Sequence, residues 1–201
     1  MSVFAVIVIG YLIGSVPFAL VVGKVLYNTD VRQYGSGNLG GGNTGRVLGK
    51  KAGLMVMTLD ILKVAFVVFL AKCFRGGDFL VALGAVSAAV GHCYPIFARF
   101  KGGKAVATMY GYLFGLFAFC GHSILLFLLP LGVFMLVLYC TKIVALSSMV
   151  SAAAVTVYMA VTVNSIWLVL AAAVFTLFMV LRHKANIQRM IRHQENKVTW
   201  L

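Results

Sequence analysis

The sequence has little charge and very few acidic residues. Only 10% of its 201 residues are Asp, Glu, Lys or Arg, and just 4 of them are acidic. A soluble domain of this length carries about 25% charged and about 45–50% apolar residues. Here 62% of the residues are hydrophobic and the mean hydropathy is +1.03. The composition therefore excludes an ordinary soluble fold.

Several catalytic patterns are also missing. With so few carboxylates, a mechanism based on paired Asp or Glu residues has almost no candidates. There is no His-Glu-x-x-His zinc motif, no Gly-x-Ser-x-Gly elbow, and no histidine followed five positions later by Asp. The cysteines form no Cys-x-x-Cys pair and lie in or beside apolar stretches, so we interpret them as small buried hydrophobes: Cys73, Cys93, Cys120 and Cys140.

What the chain does have is a series of long apolar stretches. Such stretches predict membrane-spanning helices, and a helical bundle satisfies its backbone hydrogen bonds internally. The fold class is therefore all-α, a polytopic transmembrane helical bundle that forms a single domain over residues 1–201. The first stretch lacks a basic segment and a cleavage site, which predicts a retained span rather than a signal peptide. We predict about seven spans, at 3–22, 53–71, 79–91, 108–123, 125–140, 147–163 and 166–181.

The basic residues are concentrated in alternate loops. The formal charge of +13 would suggest a nucleic-acid partner in a soluble protein. Here fourteen of the 17 cations fall on one side of the seven spans, while Lys72 and Arg75 fall on the other and Lys63 lies within a span. Because cytoplasmic loops are enriched in Lys and Arg, we expect the N-terminus outside and the C-terminus in the cytoplasm. Membrane topology and anionic lipid explain much of the charge, and we expect no nucleic-acid partner.

Two ionisable residues lie inside the second predicted span. Asp60 and Lys63 are three positions apart, so they share one helical face and can pair. A structural ion pair and a supporting role beneath a functional site are both open interpretations.

The first of three unusual polar segments runs from Gly35 to Arg46, and six of its twelve residues are glycine. Glycine lets backbone N–H groups approach an anion closely. Ser36, Asn38 and Asn43 add hydrogen-bonding side chains, and Arg46 can bind a phosphate through two parallel hydrogen bonds. The alternative is a flexible polar loop.

The second segment covers residues 91–108 and contains Lys-Gly-Gly-Lys at 101–104, directly before an apolar stretch. This arrangement is typical of an anion-binding helix N-terminus. It is not a nucleotide-binding P-loop, because Ala98 and Ala105 stand where that loop needs Gly and Ser or Thr. His92, taken alone, is more often a hydrogen-bonded interfacial histidine than a catalytic one.

The third segment, Arg182–Arg189, follows the last predicted span and continues to Glu195. If it is helical, His183, Asn186 and Arg189 share a face. A basic membrane-surface anchor is the alternative, although amide side chains add nothing to an anchor.

Three polar segments on one membrane side, each with cations and hydrogen-bond donors, predict one shared site. A cationic site with no evident protein base suits a reaction whose substrate is already activated and whose leaving group is an anion. Acyl phosphate meets this description, because its phosphate leaves readily and can take the proton of the attacking hydroxyl. A membrane transporter of a phosphorylated small molecule is the alternative, although the cations lie at one surface and no repeat is evident. A protein that only binds anionic lipid is a third.

At these three segments the sequence resembles the bacterial acyl-phosphate:glycerol-3-phosphate acyltransferase family. The family pattern Gly-Ser-Gly-Asn-x-Gly-Ala-Thr-Asn-x-x-Arg matches Gly35–Arg46 except at two positions. The pattern Gly-His-x-x-Pro-x-Phe-x-x-Phe-Lys-Gly-Gly-Lys-Gly-Val-Ala-Thr matches Gly91–Thr108 except at one. Arg-His-x-x-Asn-Ile-x-Arg matches Arg182–Arg189 in full. The motifs extend, in order and spacing, over nearly the whole chain.

The resemblance implies an enzyme of the bacterial cytoplasmic (inner) membrane with its active site on the cytoplasmic side. It would transfer a fatty acyl group from acyl phosphate to the 1-hydroxyl of sn-glycerol 3-phosphate, giving lysophosphatidate and phosphate, the first step of phospholipid synthesis. The resemblance implies no cofactor, no metal, and no thioester carrier or coenzyme A at the site. A soluble enzyme that makes acyl phosphate would be the functional partner.

The resemblance also implies roles for individual residues. Those expected to be catalytic are Ser36, Arg46, Lys104, His183 and Asn186. Those expected to bind substrate or its phosphate are Gly37, Asn38, Asn43, His92, Lys101, Gly102 and Gly103. Glu195 would support the third segment structurally.

Three departures from the family patterns are expected to affect affinity or rate more than reaction class. Gly41 and Gly42 replace Ala-Thr, so a hydroxyl is missing from the first segment. Ala105 replaces a glycine, which tests whether that position needs a positive φ. His193 replaces a glycine often found two residues before Glu195.

Overall fold

The computed structural model describes residues 2–75 and 77–198, and the all-α prediction is confirmed. Short 3-10 helices lie at Val31–Gln33 and Ile96–Ala98. The α-helices of the described ranges are α1 (Val3–Gly14), α2 (Phe18–Tyr27), α3 (Gly41–Leu48), α4 (Lys50–Cys73), α5 (Asp78–Cys93), α6 (Val106–Cys120), α7 (Leu125–Thr141), α8 (Val144–Thr162), α9 (Ile166–Arg182) and α10 (Lys184–Ile191).

The described helices include four segments long and apolar enough to cross a membrane, namely Val3–Tyr27, Lys50–Cys73, Asp78–Ala98 and Val144–Thr162. Helices α9 and α10 together form a fifth candidate with a bend of 58°, while α6 and α7 are shorter apolar helices. Each of the seven predicted spans overlaps one of these helical segments. The number of crossings and the orientation of the termini stay predictions.

The first predicted span is broken into α1 and α2 at residues 15–17. Pro17 has no N–H to donate and disfavours helical geometry in the residue before it, so the hydrogen-bond ladder stops here. The break leaves the carbonyl of Val16 available, and the ammonium of Lys63 donates to it over 3.0 Å. The same carbonyl accepts from the Phe18 N–H over 3.2 Å, so a buried lysine of α4 shares a backbone acceptor at the break between α1 and α2.

Helix α1 packs closely on α5 because small residues line both surfaces. A Cβ added at Gly14 would overlap the backbone of Ala88, and one added at Gly91 would overlap the carbonyl of Tyr11. Helix α6 approaches α4 in the same way at Gly111. Helices in lipid associate through close backbone contact of this kind, because burial of apolar surface contributes little driving force for helix association there.

The interior is apolar and so is the outer surface. Tyr112 stacks on Phe175 with ring centroids 5.3 Å apart, and its hydroxyl donates to the Leu168 carbonyl over 2.8 Å. On the outside, Phe4 is 74% exposed and Val161 is 82% exposed. Large exposed apolar side chains on a helical bundle match a lipid environment, which makes the chain a multi-pass membrane protein.

Helix α4 separates two ends of the molecule. Its 24 residues extend about 36 Å, from Lys50 and Lys51 at one end to Lys72 near the other. The glycine-rich segment leads directly into α3 and then into the Lys50 end of α4. The polar segments therefore belong to the end of the bundle opposite Lys72.

Candidate active site

The three polar segments meet around one cavity of about 220 Å³. Each segment contributes to the cavity wall, as does the chain that follows α10. The polar wall consists of Ser36, Asn38, Asn43 and Arg46, then Asp60, His92, Lys104 and Ser148, then His183, Asn186, Glu195 and Asn196. The convergence expected from the sequence is therefore present in the structure, although the roles of the individual residues stay predictions.

Asn43 holds the first segment in shape. Its side-chain carbonyl accepts hydrogen bonds from Ser36, from N–H at 2.8 Å and from Oγ at 3.1 Å. Its amide donates to the carbonyls of Val31 at 3.0 Å and Tyr34 at 3.3 Å. The side chain is 3% exposed. Both of its polar atoms are thus used within the loop, so its side chain is committed to positioning Ser36 rather than to holding phosphate.

The two glycines that replace Ala-Thr differ in their surroundings. A Cβ at Gly41 would lie 2.7 Å from the carbonyl oxygen of Gly53, so this position fits glycine because α3 and α4 nearly touch. A Cβ at Gly42 would meet nothing within 4 Å, and Gly42 lines the cavity. A threonine at residue 42 would place its hydroxyl at the cavity. This chain, with glycine at that position, has no such hydroxyl.

The Lys-Gly-Gly-Lys loop is tied to the other two segments. Arg182 donates to the carbonyls of Gly103 at 3.0 Å and Gly102 at 3.1 Å, and Asn38 donates to Gly102 at 3.2 Å. Gly103 donates its own N–H to the carbonyl of His92 over 3.0 Å. The N–H of Gly103 is therefore already bonded within the protein, and phosphate binding at Gly102 and Gly103 stays a prediction.

Arg182 therefore links the third segment to the second. In the sequence it stood out only as one of many positive charges. It also lies over the ring of Tyr94, with 5.1 Å from the guanidinium carbon to the ring centroid. The signal available in the sequence was its place at the end of the last apolar stretch, next to the polar third segment.

Ala105 adopts the left-handed conformation, with φ at 62°, immediately before α6 begins at Val106. His193 likewise has φ at 56°. Both are positions where the family pattern has glycine, the residue that takes this conformation without strain. The requirement for positive φ at Ala105 is thus met by an alanine, at a cost of about 1 kcal/mol.

Lys104 is a half-buried cation at the cavity. Its ammonium donates to Asn186 Oδ1 over 2.6 Å, and the Asn186 amide donates to Glu195 Oε1 over 2.6 Å. Arg189 pairs with the other Glu195 oxygen at 2.7 Å. Burial, followed by the nearby Arg189 charge, lowers the pKa of Lys104. The contacts of Glu195 agree with the structural role expected for it.

His183 lies at the bend between α9 and α10 and is 4% exposed. Its Nδ1 is 2.8 Å from the carbonyl of Met179, and a carbonyl can only accept. Nδ1 therefore carries a proton, which leaves Nε2 of the neutral ring as an acceptor. His183 lines the cavity, so this acceptor is available to a ligand.

One wall of the cavity is apolar and was not located by the sequence reading. It is formed by Met57, Val106, Ala107, Phe134, Val144 and Ala145. These residues come from α4, α6, α7 and α8, which are apolar over most of their length. Nothing in the pattern distinguishes a side chain that faces a cavity from one that faces lipid.

Some residues predicted to bind substrate do not line the cavity. Lys101 is exposed, whereas Gly102 and Gly103 are buried behind the cavity wall. Gly37 is a turn residue with φ at 65°, also outside the wall. His92 lines the cavity, but its Nδ1 lies 3.1 Å from the ammonium of Lys63.

Comparison with known proteins identifies the relatives of this fold and cavity. A family model described as glycerol-3-phosphate acyltransferase matches residues 4–193. A glycerol-3-phosphate acyltransferase of Geobacillus kaustophilus is 45% identical over 97% of this chain and 95% of its own length. The Bacillus subtilis enzyme of that name is 43% identical over 100% of both chains.

Two solved structures share the whole architecture. Both are crystal structures of PlsY (YgiH), an integral membrane glycerol 3-phosphate acyltransferase, one in a glycerol 3-phosphate form and one in a lysophosphatidic acid form. Their TM-scores are 0.90 and 0.89, at 30% identity, covering 99% of this chain and 96% of each crystallised chain. The match extends over sequence, fold and motifs alike, and the chain belongs to the glycerol-3-phosphate acyltransferase family.

Proposed function

We propose that this protein transfers a fatty acyl group from acyl phosphate to the 1-hydroxyl of sn-glycerol 3-phosphate. The products are lysophosphatidate and inorganic phosphate. The observation that carries the proposal is one cavity lined both by cationic and polar side chains and by apolar side chains. Both substrates carry phosphate and one carries an acyl chain, so the cavity has a surface for each chemical part.

The cationic wall supports binding of the two phosphates. Arg46 and Lys104 both line the cavity, and they approach it from different segments. Guanidinium and ammonium groups form short, charge-assisted hydrogen bonds to phosphate oxygens. Held by these groups, the hydroxyl and the acyl carbonyl need no further protein group to bring them together.

The apolar wall supports binding of the acyl chain next to the reacting carbonyl. Phe134 and Val144 belong to α7 and α8, and Met57 belongs to α4, so the wall continues into the lipid-facing part of the bundle. An acyl chain that enters along these helices brings its phosphate to the cationic end of the cavity.

The reaction itself balances without a strong protein base. The hydroxyl oxygen attacks the acyl carbonyl carbon, the bond from that carbon to the phosphate oxygen breaks, and phosphate leaves. The departing phosphate takes the hydroxyl proton. Lys104 and Arg46 stabilise the charge that develops on it. The Ser36 hydroxyl, exposed at the cavity, donates to a phosphate oxygen or to the carbonyl when it turns away from Asn43 Oδ1, to which it donates without substrate.

The location and the pathway partner follow from the same proposal. The end of the bundle that carries the cavity also carries most of the cations, which supports a cytoplasmic site in a bacterial inner membrane. Acyl phosphate would reach the site from a soluble enzyme that produces it.

The direct test is donor discrimination by the purified protein. With palmitoyl phosphate, phosphate release is expected only when glycerol 3-phosphate is added, and lysophosphatidate should form in equal amount. With palmitoyl-coenzyme A in place of palmitoyl phosphate, no product is expected. Equal turnover with both donors would overturn the donor assignment, and phosphate ester uptake into vesicles without acyl transfer would indicate the transporter instead.

A further inference from the structure

Three buried ionisable residues form a cluster at the floor of the cavity. The ammonium of Lys63 is 2.6 Å from Asp60 Oδ1, 3.0 Å from the carbonyl oxygen of Val16 and 3.1 Å from His92 Nδ1. Asp60 is 1% exposed, His92 5% and Lys63 6%. An ammonium has three N–H donors, and each of them has an acceptor here. The position of Lys63 is therefore fixed on all sides.

Asp60 uses only one of its two oxygens in this cluster. Among the described residues, its Oδ2 has no hydrogen-bond partner although it is buried. Asp60 and His92 both line the cavity. A buried carboxylate oxygen without a donor is costly, and in a native protein it calls for an explanation such as a catalytic role, a bound water or an ion. Oδ2 is therefore an acceptor without a donor among the described residues, on a side chain that lines the cavity.

A phosphate is not a suitable donor to Oδ2. A phosphate would be repelled by the carboxylate and is attracted instead to Arg46 and Lys104 on the cavity wall. A hydroxyl is attracted to the carboxylate and forms a charge-assisted bond with it. Because Lys63 balances the charge of Asp60, the floor does not repel a phosphate bound at the wall.

Glycerol 3-phosphate, the acceptor in the proposed function on which this inference rests, has two hydroxyls. The hydroxyl on carbon 1 must approach the acyl carbonyl, and carbon 3 carries the phosphate. Only the hydroxyl on carbon 2 is free to make a lasting bond. We propose that Asp60 Oδ2 accepts a hydrogen bond from the 2-hydroxyl of glycerol 3-phosphate, which makes Asp60 the residue that selects glycerol phosphate over simpler alcohol phosphates.

The test compares two acceptors that differ only in that hydroxyl. With palmitoyl phosphate as donor, kcat/KM is measured for sn-glycerol 3-phosphate and for 3-hydroxypropyl phosphate, which lacks the 2-hydroxyl. The native protein is expected to prefer glycerol 3-phosphate about 10- to 100-fold, the usual effect of a hydrogen bond to a charged group. A preference below about threefold would overturn the proposal without any variant.

Two variants assign the preference to Asp60. Asp60→Glu keeps the charge that Lys63 requires but moves the oxygens by one methylene, so the preference should fall to near one. Asp60→Asn keeps the shape, and its preference should fall at least about threefold because a neutral amide bonds a hydroxyl more weakly than a carboxylate does. The readout in both variants is the ratio of the two kcat/KM values, because loss of the bond to the 2-hydroxyl lowers kcat/KM for sn-glycerol 3-phosphate more than for 3-hydroxypropyl phosphate.

The control variant is Asp78→Asn, at the opposite end of the bundle. It should leave the preference for sn-glycerol 3-phosphate over 3-hydroxypropyl phosphate unchanged. If Asp60 only supports the fold, or holds a water molecule, both acceptors lose kcat/KM together and the preference stays, which overturns the proposal. If the native protein acylates neither acceptor, the proposed function itself fails.

Discussion

The surroundings of Lys104 determine how this side chain can serve a phosphate. It is half-buried, its ammonium donates to Asn186, and Arg46, Arg182 and Arg189 add positive charge nearby. Burial comes first among the causes that lower its pKa, while Glu195 acts in the opposite direction. Bound phosphate reverses the balance, because a nearby anion favours the charged amine.

We therefore expect the affinity for glycerol 3-phosphate to depend on alkaline pH through Lys104. A lysine with a lowered pKa loses its proton earlier as pH rises, so phosphate binding is full below that pKa and is lost above it. KM should rise on the alkaline side in the native protein, and Lys104→Arg should abolish that rise, since arginine keeps its charge. Initial rates between pH 7 and pH 10 measure this, and an unchanged rise in the arginine variant would contradict it.

At the residue scale, the sequence identified most of the polar groups at the cavity but not what each contacts. Asn43 and His92 have the residue types of phosphate ligands, yet Asn43 bonds within its own loop and His92 faces Lys63. For Asp60, the sequence left a structural ion pair and a supporting role beneath a functional site both open. Residue type and spacing set which atoms are near a site, but tertiary contacts decide which of those atoms remain free.

Local sequence patterns were sufficient to predict some of the helices but not all of them. Apolar stretches located α4 to α9 because a run of apolar residues has few other stable conformations in a membrane. Helix α3 was not predicted, since Gly41, Gly42 and Gly45 disfavour a helix in isolation. It forms because the glycines let its backbone approach α4 closely, where a Cβ at Gly53 would lie 2.7 Å from the Gly45 Cα. Helix propensities describe single residues, so they do not include this packing of α3 against α4.

Close packing between α1 and α5 leads to a stability prediction. Gly14→Ala should destabilise the protein by about 1–3 kcal/mol, because the new Cβ would overlap the Ala88 backbone and the helices must separate. The matched control is Gly132→Ala in α7, where a Cβ meets nothing within 4 Å. That change should be neutral or stabilise by about 0.5–1 kcal/mol. Thermal unfolding in detergent compares the two, and equal midpoints would contradict the α1–α5 packing.

Over the whole molecule, the distribution of charge predicts its orientation in the membrane. The cavity and the polar segments lie at the end of α4 that begins with Lys50, and Arg75 follows the other end. In a background without the native cysteines, Lys101→Cys and Gln188→Cys should react with an impermeant thiol reagent only in inside-out vesicles. Arg75→Cys should react only in right-side-out vesicles. Labelling of Lys101→Cys and Gln188→Cys from different sides would be incompatible with the fold.

Sequence reasoning could predict that three distant segments share one site, since each combined cations with hydrogen-bond donors on one side of the membrane. It could not provide the apolar wall, because Phe134, Val144 and Met57 look like any other lipid-facing residues. Nor could it place the chain after α10, where Glu195 bonds Asn186 and Val198 donates to the carbonyl of Lys142 over 2.9 Å. These features arise only when several helices are brought together.

The central claim is that all three segments serve one reaction, and the most direct measurement changes one side chain in each. Arg46→Ala, Lys104→Ala and Asn186→Ala are compared with the native protein in glycerol 3-phosphate-dependent phosphate release from palmitoyl phosphate, with Lys72→Ala as the control far from the cavity. Each of the three variants should insert normally and lose at least about 100-fold in turnover, the usual cost of removing a group that stabilises developing charge, while Lys72→Ala keeps full activity. A correctly inserted variant from any one segment with native turnover would contradict the shared site.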